Sequence, residues 1–429
     1  MRSTLRILAL AVTPGAFMAV PAAAQYGSQP PAPQPRLQIP APATAPDQKA
    51  AAGERKINVS KAAMKPLREL QAAVDAKDTA NIPAKLAAAQ AVAKSADEKY
   101  LVAQLQLKAA VAANNEAAIG AAIEAMLASG GADPATTGRL SLNLGKIQYN
   151  SKQYAQAAAS FERALAANPA DTDALVLLAE TRNSQGQVND AIALIDRALK
   201  AKAASGQKAD QAWYKRAVGL AYDAKLPAAI EFSRQWVAAY PTADNWRDAL
   251  RVYRKVANPG ETATLDALRL ARATGALAGD ADFHNYAMVA GNDSPGEARA
   301  VIDEAIAAKK IDPAKPIFKG LVADLKTKKA LGRDLLPQLA REAKASTSAR
   351  LAVRVADAYY GYGDYAQAIE LYRAALGKSG ADANLINLHL GMALARSGDK
   401  AGATTALNAA SGAQSDLAKF WLIYVSTLA

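Results

Sequence analysis

The stretch LSLNLGKIQYNSKQYAQAAASFERALAANP, residues 140–169, decides the fold. Leu144 and Gly145 lie on a first helix, and Asn150 and Ser151 mark a turn. Ala157, Phe161 and Ala164 then follow at spacings of four and three, which places them on one face of a second helix. Pro169 ends that helix, because proline has no amide to donate and clashes with the preceding turn. The arrangement returns one unit further on. Leu178 and Ala179 stand 34 residues after Leu144 and Gly145, and Ala191, Ile195 and Ala198 stand 34 after Ala157, Phe161 and Ala164.

Working outward, a third unit carries Gly219, Tyr222, Ala229 and Pro241, with a turn about two residues shorter than its predecessors. Near the other end, Val355, Ala356, Tyr359, Ala368, Tyr372 and Ala375 repeat the order, with Gly363-Asp364-Tyr365 as the turn. Leu390, Gly391, Leu394, Ala403, Leu407 and Ala410 follow after a 35-residue step. A weaker unit upstream holds Leu107, Ala118, Ala122, Met126 and Pro134. Together these residues resemble the tetratricopeptide repeat, whose pattern is W-x2-L-G-x2-Y, then A-x3-F, then P, at a period of 34. Leu175 stands in the tryptophan slot. The resemblance implies an all-α, right-handed solenoid of stacked antiparallel helix hairpins, about ten of them over 61–429. Small residues at the crossing let two helices approach, and Phe161 or Tyr372 fills the space beside them. Each hairpin is too thin to bury its apolar face alone, so the units stack into one continuous core.

Five segments follow. Residues 1–24 read as a cleaved secretory signal: Arg2 and Arg6, an apolar run from Ile7, and Ala22-Ala23-Ala24 before Gln25. Pro14, Gly15 and Pro21 argue against a membrane anchor there. Residues 25–60 are a Pro-rich extended spacer. Residues 61–245 carry the first repeats, 246–345 divergent helical hairpins, and 346–429 the last repeats with a capping helix. Within the divergent segment, helices are expected over 262–274, 295–309 and 331–345. Breaks are expected at Asn258-Pro259-Gly260, Gly291-Asn292-Asp293 and Asp312-Pro313. Degenerate repeats of the same solenoid fit this pattern better than a hinge between two arrays.

Composition narrows the function. Hydrophobic residues make up 51% but aromatics only 6%, which suits helices packed on small side chains and not a β-sandwich. There is no cysteine, which excludes disulfides, thiol nucleophiles and Cys-based metal sites. The two histidines, His284 and His389, are too far apart in sequence to suggest a His-rich metal site. The formal charge of +12 falls to +10 without Arg2 and Arg6, and it points to anionic partners. Export and the dispersed charge argue against nucleic acid. No P-loop, dinucleotide fingerprint or Gly-x-Ser-x-Gly occurs, so neither an enzyme nor a cofactor is expected. His284 lies in Gly279-Asp280-Ala281-Asp282-Phe283-His284-Asn285, read as a helix start capped by Asp280 or Asp282. His389, between Leu388 and Leu390, reads as a packing or surface histidine.

In the family resembled, the first helix of each hairpin lines a concave face that holds an extended peptide or a partner helix. Carried over by position, the candidates are Arg139, Lys146, Tyr149 and Asn150, then Glu180 and Asn183, then Arg350, Arg354, Asp357 and Tyr360. A carboxylate clamp known in the family is not predicted, because Leu142 stands where its lysine belongs and Lys146 where its asparagine belongs. Tyr359 and Tyr365 are expected in the core, and Tyr360 and Tyr362 are the candidates for exposure. The aromatic end over 417–428 reads as a final helix covering the stack, with a partner-docking helix as the other use. The expectation is a non-catalytic periplasmic scaffold that binds protein or peptide partners in cell-envelope assembly and does not span the membrane. An envelope component binding an acidic polysaccharide is the second reading, and a cell-wall hydrolase with helical repeats the third.

Overall fold

The computed structural model describes residues 58–327 and 333–428. The proposed export signal and the Pro-rich spacer lie outside the described residues, apart from Asn58, Val59 and Ser60 at the entry to the first helix. Four hairpins come first: α1 (Lys61–Asp75) with α2 (Ile82–Val92), α3 (Ala96–Ala112) with α4 (Glu116–Ala128), α5 (Pro134–Asn150) with α6 (Tyr154–Ala167), and α7 (Thr172–Ser184) with α8 (Val188–Ala204). A fifth pairs α9 (Gln211–Asp223) with α10 (Ala228–Ala239). Next, α11 (Ala243–Ala257) rests mainly on α10 and less on α12 (Glu261–Ala273). α13 (Gly279–Asp293) pairs with α14 (Pro295–Ala307). α15 (Pro316–Thr327) and α16 (Leu336–Ala345) lead to the last two hairpins, α17 (Ala349–Gly361) with α18 (Tyr365–Leu376) and α19 (Ala383–Ser397) with α20 (Lys400–Ala409). α21 (Ser415–Thr427) closes the chain. Among the described residues the only β feature is an isolated bridge between Ser348 and Ser379.

Local chemistry sets the starts of these helices. Asp133, Asp171, Asp210, Asp382 and Asp399 each accept a hydrogen bond from an amide of the first turn, which satisfies a donor left free by the helix geometry. Ser95 and Glu98 form a reciprocal capping box at α3. Glu98 also accepts from the amide of Ser60 at 2.9 Å and so joins the start of α1 to the start of α3. With donors from Ser60, Ser95 and Lys94 converging on it, its carboxyl falls to about 2.

The hairpin crossings follow the small-residue logic of the sequence. A Cβ on Gly145 would stand 2.5 Å from the ring of Phe161, and one on Gly391 would stand 2.5 Å from Leu407. Phe161 is fully buried, so its ring cannot swing aside. Gly145→Ala removes a helix-interior glycine, worth up to about 1 kcal/mol. Overpacking a closed core costs about 1–3 kcal/mol, so the clash should win. Urea denaturation of Gly145→Ala should show a net loss, and a variant as stable as the wild type would refute the tight crossing.

Three readings of the divergent segment need correction. No break occurs at Gly291-Asn292-Asp293: α13 runs through Asp293, and only Ser294 separates it from Pro295, the first residue of α14. Burial of Tyr286, Ala287 and Ala290 along α13 offsets the helix cost of its glycine. The helix expected over 331–345 starts at Leu336, because Pro337 belongs in a first turn. α13 begins at Gly279 after Ala278, whose cap carries no side-chain bond; Asp282 reaches back from inside the helix to the Ala278 amide at 3.0 Å.

The last helix returns to the middle of the array. α21 packs on α19 and α20, and its other side meets α10 and α12. Phe420 and Trp421 are fully buried, and the Phe420 ring lies 6.1 Å from those of Trp246 and Tyr253 on α11. Arg234 on α10 donates to Asp416 at 2.6 Å across 182 residues of sequence. Leu417, Phe420, Trp421 and Val425 are thus covered by the chain itself, as a capping helix requires, while Leu422, Ile423 and Tyr424 stay partly exposed. One hydrophobic cluster runs from Ile230 to Val425 and joins the middle helices to the last repeats.

Candidate functional site: the faces of the first helices

The face predicted to bind partners splits into an accessible part and a filled part. On α5 and α7 it is accessible. Arg139 and Asn150 are exposed, and Lys146, Tyr149 and Asn183 are partly exposed. The Arg139 guanidinium donates to Thr136 at 3.3 Å. Tyr149 packs edge-on against Tyr154 at 5.4 Å, and its hydroxyl lies 3.3 Å from that of Ser184, next to Asn183. The structure thus brings Tyr149, Asn150 and Asn183 to neighbouring ends of α5 and α7, with Lys146 one turn back, and leaves Arg139 near the other end of α5. Glu180, predicted among them, is buried: its carboxylate takes two bonds from Arg216 of α9, at 2.7 and 2.8 Å. That pair ties consecutive first helices together and leaves Glu180 nothing for a ligand.

On the last repeats the same face is filled only in part, by the Arg269 side chain of α12 and by α14, which packs on α17. Arg350 and Arg354 remain exposed on α17. Tyr360, predicted as a partner-binding residue, is only 5% exposed, and the Arg269 guanidinium of α12 lies over its ring at 5.0 Å. Burial pushes the Tyr360 phenol well up. The physical reason is a neighbour that the repeat pattern does not encode: the Arg269 side chain of α12 covers this end of α17. Tyr359 is buried, Tyr365 packs edge-on against Tyr360 at 5.4 Å, and Tyr362 is partly covered.

From α12 a chain of buried polar groups runs through five more helices. Arg269 donates to Glu297 of α14 at 3.0 and 2.7 Å and to Asp266 one turn before it at 2.9 Å. Tyr286 of α13 donates its hydroxyl to Glu297 at 2.7 Å. Asp266 lies 3.1 Å from His389 Nε2 on α19. His389 Nδ1 stands 2.9 Å from Asp357 of α17, an ion-pair contact and not an aligned hydrogen bond. Asp357 accepts from Tyr372 of α18 at 2.5 Å. Asp357, one of the predicted groove residues, is thereby engaged. Burial alone would lower the His389 pKa, but Asp266 and Asp357 raise it to about 10, so the ring is a cation at neutral pH. Asp357 is held below the ordinary carboxylate range: burial raises it, and His389, Arg269 and Tyr372 together more than compensate. A Cβ on Gly361 would come within 2.7 Å of Glu297, so a glycine is what lets α17 close on α14 here.

Sequence reasoning missed Asp266, Arg269, Tyr286 and Glu297, and it took His389 for an ordinary histidine. The one available signal was the Asp266–Arg269 spacing of three, which also describes a common surface pair.

A carboxylate pair facing a cleft would favour hydrolytic chemistry. An open cleft of 520 Å³ between α8 and α10 is lined in part by Asp196 and Glu231. Asp196 pairs with Lys200 at 2.6 Å. Glu231 pairs with Arg234, which outweighs burial and holds its carboxyl low, opposite to the shift a general acid needs. Among the described residues no group of three His, Asp or Glu side chains is placed to hold a metal ion, and no helix is long and apolar enough to cross a membrane.

Two tetratricopeptide repeat family models match the chain, one over residues 149–212 and the other over 354–418. No curated protein matches by sequence. A chain of the solved structure described as "Structure of Naa15/Naa10 bound to HypK-THB" is 13% identical, over 83% of this chain and 70% of that one, at a TM-score of 0.23. The paired helices, the glycine crossings and the two matched segments agree: the chain carries tetratricopeptide repeats over 149–212 and 354–418.

Proposed function

We propose that the protein is a non-catalytic scaffold of the cell envelope that holds a partner protein or peptide on the first helices of its N-terminal repeats. One observation carries the reading: the α5 and α7 face keeps Lys146, Tyr149, Asn150 and Asn183 at least partly accessible, whereas on the matching face of α17 Tyr360 lies under Arg269 and Asp357 is engaged by His389 and Tyr372. Solenoids of this kind use such faces for extended partners. Tyrosine supplies a wide apolar ring with a polar tip, and lysine supplies charge for an acidic segment. The three-part pattern of residues 1–24 supports export to the periplasm.

The test is capture of envelope proteins by immobilised mature chain, followed by the same capture with Lys146→Glu and Tyr149→Ala. A specific partner should be retained by the wild type and depleted about tenfold or more by the double variant, the loss of one small hot spot. Equal retention by both would sink the α5–α7 assignment. Retention of acidic glycan with no protein would shift the function to polysaccharide assembly. Cell fractionation with and without residues 1–24 checks the compartment.

A further inference from the structure

A second surface lies at the opposite end of the first helices from Tyr149, Asn150 and Asn183. Those residues sit in the last turns of α5 and α7, whereas this surface is built around the first turn of α9. Lys202, near the end of α8, stands over the Trp213 ring at 5.9 Å. Lys208, in the loop before α9, lies over Tyr240 at 3.6 Å, and Lys215 lies over Trp236 at 5.3 Å. Tyr214 meets Tyr240 edge-on at 6.1 Å, and the Tyr240 hydroxyl donates to the Ala209 carbonyl at 2.9 Å, which pins the loop.

Among the described residues these three ammonium groups face rings and not carboxylates, whereas neighbouring Lys200 pairs with Asp196. Lys200 pairs with Asp196 and the buried Arg216 with Glu180, which leaves Arg197, Lys202, Lys208 and Lys215 between residues 197 and 216 against Asp210 alone. Asp210 is occupied as the cap of α9, accepting from the Ala212 amide at 2.8 Å. The result is a local excess of positive charge held on a rigid aromatic base.

We infer that this lysine–aromatic edge is a docking surface for an acidic polypeptide segment. Charge complementarity sets the sign of the partner. The ring geometry sets its class. A sugar or a base stacks on a free aromatic face, but here lysines lie over the faces of Trp213, Trp236 and Tyr240. A membrane surface calls for protruding rings, but Trp236 is buried and Trp213, Tyr214 and Tyr240 are partly covered. Side-chain carboxylates spaced along a peptide can reach ammonium groups arranged in this way, each already partly stripped of water by its ring. The surface shares no residue with the α5–α7 face, so the two assignments stand or fall separately.

The test uses the mature chain and a labelled Glu-rich peptide, read by fluorescence anisotropy. Binding should weaken with added salt, because the charges are at the surface. The triple variant Lys202→Gln, Lys208→Gln, Lys215→Gln should bind about tenfold more weakly, a modest loss for each of three rim charges. The triple variant to arginine keeps charge and ring contacts and should bind like the wild type, which separates charge from any change in folding. Unchanged affinity in the glutamine variant overturns the inference. So does lysine-dependent binding of polygalacturonate or of anionic vesicles in preference to the peptide.

Discussion

Arg269→Met is expected to lower the free energy of unfolding by about 3–5 kcal/mol, because it strips the counter-charge from buried carboxylates. Glu297 would lose both of its guanidinium bonds and Asp266 one, in a place with almost no solvent access. Methionine is close to arginine in length, so little of the loss should come from packing. Arg251→Met is the control. Its pair with Asp248 sits at the surface, where such pairs contribute about 0–1 kcal/mol. Urea denaturation followed by circular dichroism gives both numbers. Adding Glu297→Gln to Arg269→Met should recover part of the loss, since it removes the stranded charge. Equal small losses at both arginines would mean that the buried chain of charges does not hold α12 in place.

The second large effect is a dependence on alkaline pH. His389 titrates near 10 in the folded protein and near 6.5 when unfolded, so its contribution is complete below pH 6.5 and fades as pH rises through about 10. The groups that face it are Asp266 on α12, Asp357 on α17 and Tyr372 on α18, with Arg269 acting on Asp357. Asp357 works in the other direction: its depressed value adds stability above pH 3.8 that is lost on acidification. Thermal melts from pH 6.5 to 10 should show a fall in midpoint for the wild type. His389→Gln keeps a polar side chain but cannot carry the proton, so it should start lower and change less over that window. A variant with the same slope as the wild type would exclude His389 as the cause, leaving exposed lysines and tyrosines.

Leu144, Gly145, Phe161 and their equivalents 34 residues on made the hairpins legible, because the contacts they report are local or lie one repeat away. Gly145 against Phe161 is such a contact, and it appears in the structure as the pattern requires. A contact between His389 and Asp266, or between Arg234 and Asp416, leaves no trace in a 34-residue period. It depends on how far the stack turns over many units, and small angles at each crossing accumulate into that turn. The accessible faces of the first helices were legible in the same uneven way. The residues singled out by position, Arg139, Lys146, Tyr149, Asn150, Asn183, Arg350 and Arg354, lie at least partly accessible. It failed at Tyr360, Asp357 and Glu180, where a helix from elsewhere or a buried arginine had already taken the face.

The position of α21 bears on how the molecule is made. Trp246 and Tyr253 gain their Phe420 neighbour only from the last fifteen residues of the chain, and Arg234 waits for Asp416. Local hairpins can form as soon as they emerge, but this seal joins residues up to 182 positions apart and can form only once α21 has been made. Until then the middle helices present bare aromatic surface to their surroundings. A nascent or partly translocated molecule should therefore be sticky and protease-sensitive around residues 246–253, and any truncation before residue 415 should make that vulnerability permanent.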